Sequence, residues 1–224
     1  MQTVYYIFMQ KLSPSVLLPL LGVFLVPTLA QQQAEPVRAP VQDSHEGMTI
    51  GVDPWTQASR YKERFPKKSP FSRGIVALRV SFRNDSNEGI KIDLPHIRLL
   101  LQLSEDERQE LQPLTADEVA DTVLLKNNGK DPTAKRVPLP IPTWGTKPTR
   151  DKNWTDFRDD CQNAAVPSSV VAAHGTVEGL FYFDLRGEVE LLRSARLYVP
   201  NLTTMGTKMP LSYFDIPLGA SAGN

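Results

Sequence analysis

The sequence predicts a mainly β protein, an antiparallel sandwich carrying short helical insertions, and three observations support that expectation. Residues 75–83 (IVALRVSFR) alternate between the two faces of a strand, with Val76, Leu78, Val80 and Phe82 on one side and Ala77, Arg79, Ser81 and Arg83 on the other. Further short apolar runs follow, separated by turn residues rather than by long helical patterns. The chain of 224 residues holds 19 prolines, which suit loops and strand edges and oppose a helical bundle.

The chain opens with the pattern of an export signal. Lys11 and the amino terminus supply positive charge, and Val16 to Val26 (VLLPLLGVFLV) is an apolar run short of a comfortable membrane span. Pro27 then breaks the helix, and Thr28-Leu29-Ala30 sets small residues three and one positions before a cut. Read as an anchor, the longer stretch from Leu12 is interrupted by Pro14, Pro19 and Pro27. Residues 1–30 are therefore expected to be a signal peptide, with the protein periplasmic or extracellular after cleavage. No cysteine stands at the cut to take a lipid, and Cys161 alone cannot close an internal disulfide. The fold must rest on apolar burial, which a chain of this length can supply.

Residues 31–47 (QQQAEPVRAPVQDSHEG) are polar with no apolar period and read as a flexible tail. One domain is expected over 48–220. Asp53-Pro54 reads as a helix start, with Trp55, Ala58, Tyr61 and Phe65 recurring at helical spacing until Pro66. After the 75–83 strand, NDSNEG (84–89) is a turn cluster, and Ile90, Ile92 and Leu94 resume an inward alternation. Beyond Pro95, Ile97, Leu99, Leu101 and Leu103 continue it.

Thr115 to Glu118 (TADE) is a capping box opening a helix to about Leu125. Residues 127–152 read as a loop, with VPLPIP running extended. A second helix places Trp154, Phe157, Cys161 and Ala164 on one face. Val177, Phe181, Phe183 and Leu185 share one face of a late strand, and 195–199 (ARLYV) and 211–216 (LSYFDI) read as two more.

Two separated segments carry a resemblance: ALRVSFRNDSNEGIKIDLPHIRLLLQL and VVAAHGTVEGLFYFDLRGEVELLRSARLYVP. A strand, a polar NDS-type turn and an apolar strand are followed much later by a glycine, small residue, valine, x, glycine, aromatic-strand block at Gly175 to Leu185. This looks like the exported bacterial immunoglobulin-like β-sandwich domains of unknown function. The matching parts cover about a third of the chain, and the resemblance implies a sandwich in an extracytoplasmic setting with no defined chemistry. Residues 104–169, with two helices and a long loop, exceed a minimal sandwich and read as an insertion.

No nucleophile-elbow, zinc-protease, phosphate-loop or dinucleotide-binding motif occurs. Cys161 with His174 as base is the nucleophile to weigh, against a core thiol on the face of Trp154 and Phe157. His45, His96 and His174 have no partner ligands at zinc spacing, so neither a metal nor a cofactor is expected. Asp85 and Glu88 lack the spacing of a calcium loop, and Asp156, Asp159 and Asp160 read as a solvated helix face.

Local charge is more informative. Residues 60–73 (RYKERFPKKSPFSR) hold six basic residues and one acidic among aromatics, so Arg60, Tyr61, Lys62, Arg64, Lys67, Lys68 and Arg73 are the candidate binding residues. Residues 105–121 are strongly acidic, which leaves a second reading in which the two stretches pair. The formal net charge is zero, and nucleic acid is not expected as a partner. The expected function is a non-catalytic interaction module of the periplasm or cell envelope. Its partner is an envelope protein or an anionic surface, and any membrane contact is peripheral. The alternatives are a small-ligand carrier and a hydrolase with dispersed catalytic residues.

Overall fold

The computed structural model describes residues 41–104, 106–125 and 150–219. The first elements are strands β1 (Val41–His45) and β2 (Met48–Trp55), a one-turn helix α1 (Ala58–Tyr61) and the long strand β3 (Ile75–Asn84). Strands β4 (Ile90–Lys91), β5 (Arg98–Gln102) and β6 (Arg108–Leu111) precede helices α2 (Ala116–Leu124) and α3 (Lys152–Ala164). The chain then forms β7 (Val170–Val171), β8 (Thr176–Asp184), β9 (Arg196–Val199), β10 (Thr203–Thr204) and β11 (Phe214–Pro217).

The strands form three sheets, with orders β1-β2-β3-β8, β10-β4-β7 and β11-β9-β5-β6. Every strand pairing within them is antiparallel. One core gathers Val76, Leu78, Val80 and Phe82 of β3 with Phe181 and Phe183 of β8, and with Leu99, Leu197 and Phe214 of the other four-stranded sheet. Two antiparallel sheets sharing one apolar filling fit a β-sandwich. The mainly β expectation and the inner faces of β3 and β8 are both seen.

A second core lies on the opposite face of β3 and β8. Ile75, Ala77, Leu180 and Tyr182 pack there against Tyr61 and Phe65, against Val119, Ala120 and Val123 of α2, and against Trp154, Phe157, Cys161 and Ala164 of α3. Ile75 to Leu78 of β3 and Leu180 to Phe183 of β8 are thus buried on both faces, and the helices between 104 and 169 act as a cover for that part of the sheet. Fully burying a side chain such as Phe157 contributes roughly 1.5–3 kcal/mol, so this cover adds to stability rather than decorating the surface. Gly179 permits its approach: a Cβ there would lie 2.4 Å from the Val166 nitrogen, where the chain leaving α3 runs against β8.

Helix α2 begins where the sequence places it, and α3 begins one residue earlier than expected, at Lys152. Thr115 accepts from the Glu118 amide while the Glu118 side chain accepts from the Thr115 amide, completing the capping box. Asp151 caps α3 by accepting from the Trp154 amide at 2.9 Å. Lys152, at the end of the expected loop, is therefore helical; residues 126–149 lie outside the described residues, as do 1–40.

Four expectations need correction. Residues 41–45, placed in the flexible tail, form β1 against β2, because an edge strand needs only one face and one partner. Asp53-Pro54 does not start a helix: β2 continues to Trp55, and α1 begins only at Ala58. Pro54 lies beyond Val52, the last residue of β2 with a described partner in β1, and pairs with Leu78 of β3 on its other side. Leu103 lies beyond the end of β5 and is 39% exposed, whereas Ile97, Leu99 and Leu101 are buried as expected. The last strand spans only Phe214–Pro217, with Leu211 to Tyr213 outside it.

Candidate binding surface

The basic stretch from Arg60 to Arg73 begins in α1 and ends in a 3-10 turn, Pro70–Arg73. Ser69 caps that turn by accepting from the Phe71 amide, and Gly74 closes it in the left-handed region at φ 79°. A side chain at Gly74 would also collide with the Arg186–Gly187 backbone, its Cβ lying 2.4 Å from the Gly187 nitrogen. The stretch is therefore anchored at its end by backbone packing as well as by its aromatic residues.

Two of the seven candidate binding residues serve the fold instead. Tyr61 is buried, donates to the Trp55 carbonyl at 2.8 Å and accepts from the Ala77 amide at 2.8 Å. Burial, the largest cause, pushes its phenol pKa well above the ordinary value, so it stays neutral. Sequence reasoning placed it beside basic neighbours, and the fold turns it inward. Arg60 is half-buried, engages Asp53 through both terminal nitrogens and stands over the Trp55 ring at 5.2 Å.

The other five, Lys62, Arg64, Lys67, Lys68 and Arg73, are exposed. Arg64 donates to the Asn163 carbonyl at 3.2 Å, near the end of α3. Among the described residues no ion pair joins this stretch to the acidic 106–121 region. Asp117 and Asp121 are engaged by Arg150 at 3.7 and 3.1 Å, and Asp121 also accepts from the Trp154 indole at 2.8 Å.

Lys67 and Lys68 border a cleft of about 210 Å³. Phe65, Leu124 and Phe157 give it apolar walls, and Asn153, Asp156 and Asp160 of α3 complete the lining. The Phe65 and Phe157 ring centroids lie 6.0 Å apart, within the contact range of aromatic pairs. Asn153, Asp156 and Asp160 follow one another at i, i+3 and i+7, which sets them on one stripe of the helix. This cleft was not legible in the sequence, because it unites residues up to 95 positions apart by the Phe65 to Asp160 numbering.

The nucleophile pairing finds no support in the geometry. Cys161 is fully buried and its thiol is pushed up to about 12, chiefly by burial and then by the charge of Asp160. His174 is exposed at φ 55° and bonds the Asn87 side chain at 2.9 Å, in another part of the fold. His45 stacks on Phe214, and His96 contacts Asp93 at 2.8 Å. Asp85 pairs with Arg83, and Glu88 accepts from Thr207. No group of three or more metal-ligating side chains occurs among the described residues.

Fold and surface together define a mainly β protein whose helical cover carries a charged, apolar-walled cleft. No family model matches the chain, and no curated protein matches it. A solved structure similar to it is the crystal structure of a functionally unknown protein from Listeria monocytogenes EGD-e, at 14% identity and TM-score 0.36, covering 81% of this chain and 82% of that one.

Proposed function

We propose that this protein is an exported, immunoglobulin-like interaction module that holds a cell-envelope protein through the Lys62–Arg73 segment. The observation that carries the proposal is that Lys62, Lys67, Lys68 and Arg73 stay exposed and make no ion pair among the described residues. Exposed cations without an ion pair among the described residues are available to steer and orient an acidic partner. Export is supported by the residue 1–30 pattern, and the sandwich reading by two antiparallel sheets closing on one core. Among the described residues no helix is long and apolar enough to cross a membrane.

A small-ligand carrier is less well supported by this cleft, since pockets of that kind enclose about 300–1,000 Å³ and it holds about 210 Å³. The test is crosslinking and affinity capture from envelope extract, comparing the wild-type protein with Lys67→Glu/Lys68→Glu at low and high salt. A partner retained at low salt, released at high salt and lost by the variant is expected. Equal capture by the variant, or no partner at either salt, overturns the proposal. So does turnover in a hydrolase screen that a single substitution abolishes.

A further inference from the structure

We infer that the cleft between the Phe65–Lys68 segment, the end of α2 and the exposed stripe of α3 seats one large apolar side chain of an extended partner segment, with an acidic and a basic residue flanking that side chain. The inference rests on the interaction-module reading and deepens it by naming what the partner presents.

Three features of the cleft lead there. Its walls are apolar, formed by Phe65, Leu124 and Phe157, and its volume of about 210 Å³ suits one bulky side chain rather than a whole helix. Its charges come from two different elements: Lys67 and Lys68 from the segment after α1, Asp156 and Asp160 from α3. None of these four makes an ion pair among the described residues, although all border the same space. Two cations and two carboxylates thus border one apolar hollow with no ion pair between them among the described residues.

Charge complementarity then selects the occupant. An inorganic anion or a uniformly acidic polymer is attracted by the lysines and repelled by the α3 carboxylates, and a cation meets the reverse. An extended segment with an acidic residue, a bulky apolar residue and a basic residue at alternate positions turns all three to one face and satisfies both walls at once while its centre leaves water. The apolar residue supplies affinity by burial. The flanking charges supply orientation and discrimination, since exposed ion pairs are individually weak.

Fluorescence anisotropy with short labelled peptides tests this. The probes are Gly-Glu-Gly-Trp-Gly-Lys-Gly and its charge-reversed order Gly-Lys-Gly-Trp-Gly-Glu-Gly, with Gly-Glu-Gly-Ala-Gly-Lys-Gly and Gly-Glu-Gly-Trp-Gly-Glu-Gly as controls and free tryptophan as competitor. At least one mixed-charge tryptophan peptide is expected to bind, and the alanine peptide to bind about tenfold or more weakly for lack of apolar burial. Lys67→Glu/Lys68→Glu and Asp156→Lys/Asp160→Lys are each expected to weaken the mixed-charge peptide by about threefold to tenfold, from the size of exposed ion pairs. Both substitution pairs replace side chains on the cleft border rather than in the buried core, and circular dichroism melting confirms that they fold.

Equal binding of the uniformly acidic peptide, or full displacement by an equal concentration of free tryptophan, overturns the inference. So does the absence of binding by any peptide while the salt-sensitive envelope partner is still captured, and in that case the interaction-module reading stands. Loss of the captured partner alone, with mixed-charge peptide binding intact, overturns the envelope reading and leaves the cleft specificity standing.

Discussion

The guanidinium of Arg60 meets the carboxylate of Asp53 in a two-pronged contact, Nη1 to Oδ1 at 2.6 Å and Nη2 to Oδ2 at 2.5 Å. The pair ties α1 back to the end of β2, and the same guanidinium covers the Trp55 ring. Both side chains are partly shielded, at 28% and 15% exposure, so solvent screening is weaker than for a surface pair. Asp53→Asn is expected to lower unfolding free energy by about 1.5–3 kcal/mol, the range for hydrogen bonds to charged groups. Urea unfolding of Asp53→Asn, Arg60→Ala and the double variant checks it. Strictly additive losses would mean that the two side chains do not act as a unit.

That contact also shows why some of the fold was legible in the sequence and some was not. The inward faces of β3 and β8 follow from a period of two that any half-buried strand imposes, so Val76 through Phe82 and Phe181 through Leu185 could be placed. Capping boxes are local chemistry, and α2 began at its expected residue for that reason. Asp53 before Pro54 has the same local signature as a helix cap, but its carboxylate is taken by Arg60 and the strand runs on. The burial of Ile75, Ala77 and Tyr61 depends on helices more than 30 residues further along the chain, which no local period records. The cleft is of the same kind, since its walls come from three separate stretches.

Tyr61 gives a direct separation of fold from binding. Its hydroxyl bridges the Trp55 carbonyl and the Ala77 amide at 2.8 Å each. Tyr61→Phe keeps the ring contacts but leaves a buried amide without its acceptor, which costs about 1–3 kcal/mol. Thermal or urea unfolding should show that loss, while peptide and partner binding at the neighbouring lysines stay unchanged. A stable variant that no longer binds would return Tyr61 to the binding surface.

Cys161 predicts an alkaline loss of stability. Its folded pKa is pushed up to about 12 from an ordinary 9.0, so the folded state holds its proton after the unfolded state has released it. The contribution is fully present below pH 9 and falls as pH rises from there towards 12. The loss by pH 10 is about 1.4 kcal/mol, one pH unit of linkage. Tyr61 and Tyr182 are shifted upward chiefly by burial too and add the same sign at higher pH. Urea midpoints measured between pH 8 and 10 should decline, and Cys161→Ala should flatten the decline. In the same experiment native protein should resist alkylation of the thiol and unfolded protein should not. A thiol modified rapidly in the folded state contradicts its burial.

Asn84 is the buried polar residue on which the 84–89 turn is built. Its amide nitrogen donates to the carbonyls of Glu88 at 2.7 Å and Ala172 at 3.0 Å, and its carbonyl oxygen accepts from the Ser86 amide at 2.9 Å. The side chain thus fastens the turn after β3 to the loop after β7. Asn84→Ala deletes both roles and is expected to cost about 2–3 kcal/mol through unsatisfied backbone groups. Asn84→Asp has nearly the same shape, yet at neutral pH it aims a carboxylate at two carbonyl oxygens. It is expected to be the more damaging of the two, by about 1 kcal/mol or more, because a buried charge faces like dipoles. The aspartate's folded pKa is then raised, so the variant regains stability as pH falls through that value towards its unfolded pKa, where protonation restores a donor. Unfolding curves of Asn84→Ala and Asn84→Asp at pH 7 and near pH 4 decide it: the order of the two variants should narrow or reverse on acidification, and an aspartate variant as stable as wild type at pH 7 would show that the turn does not depend on the amide.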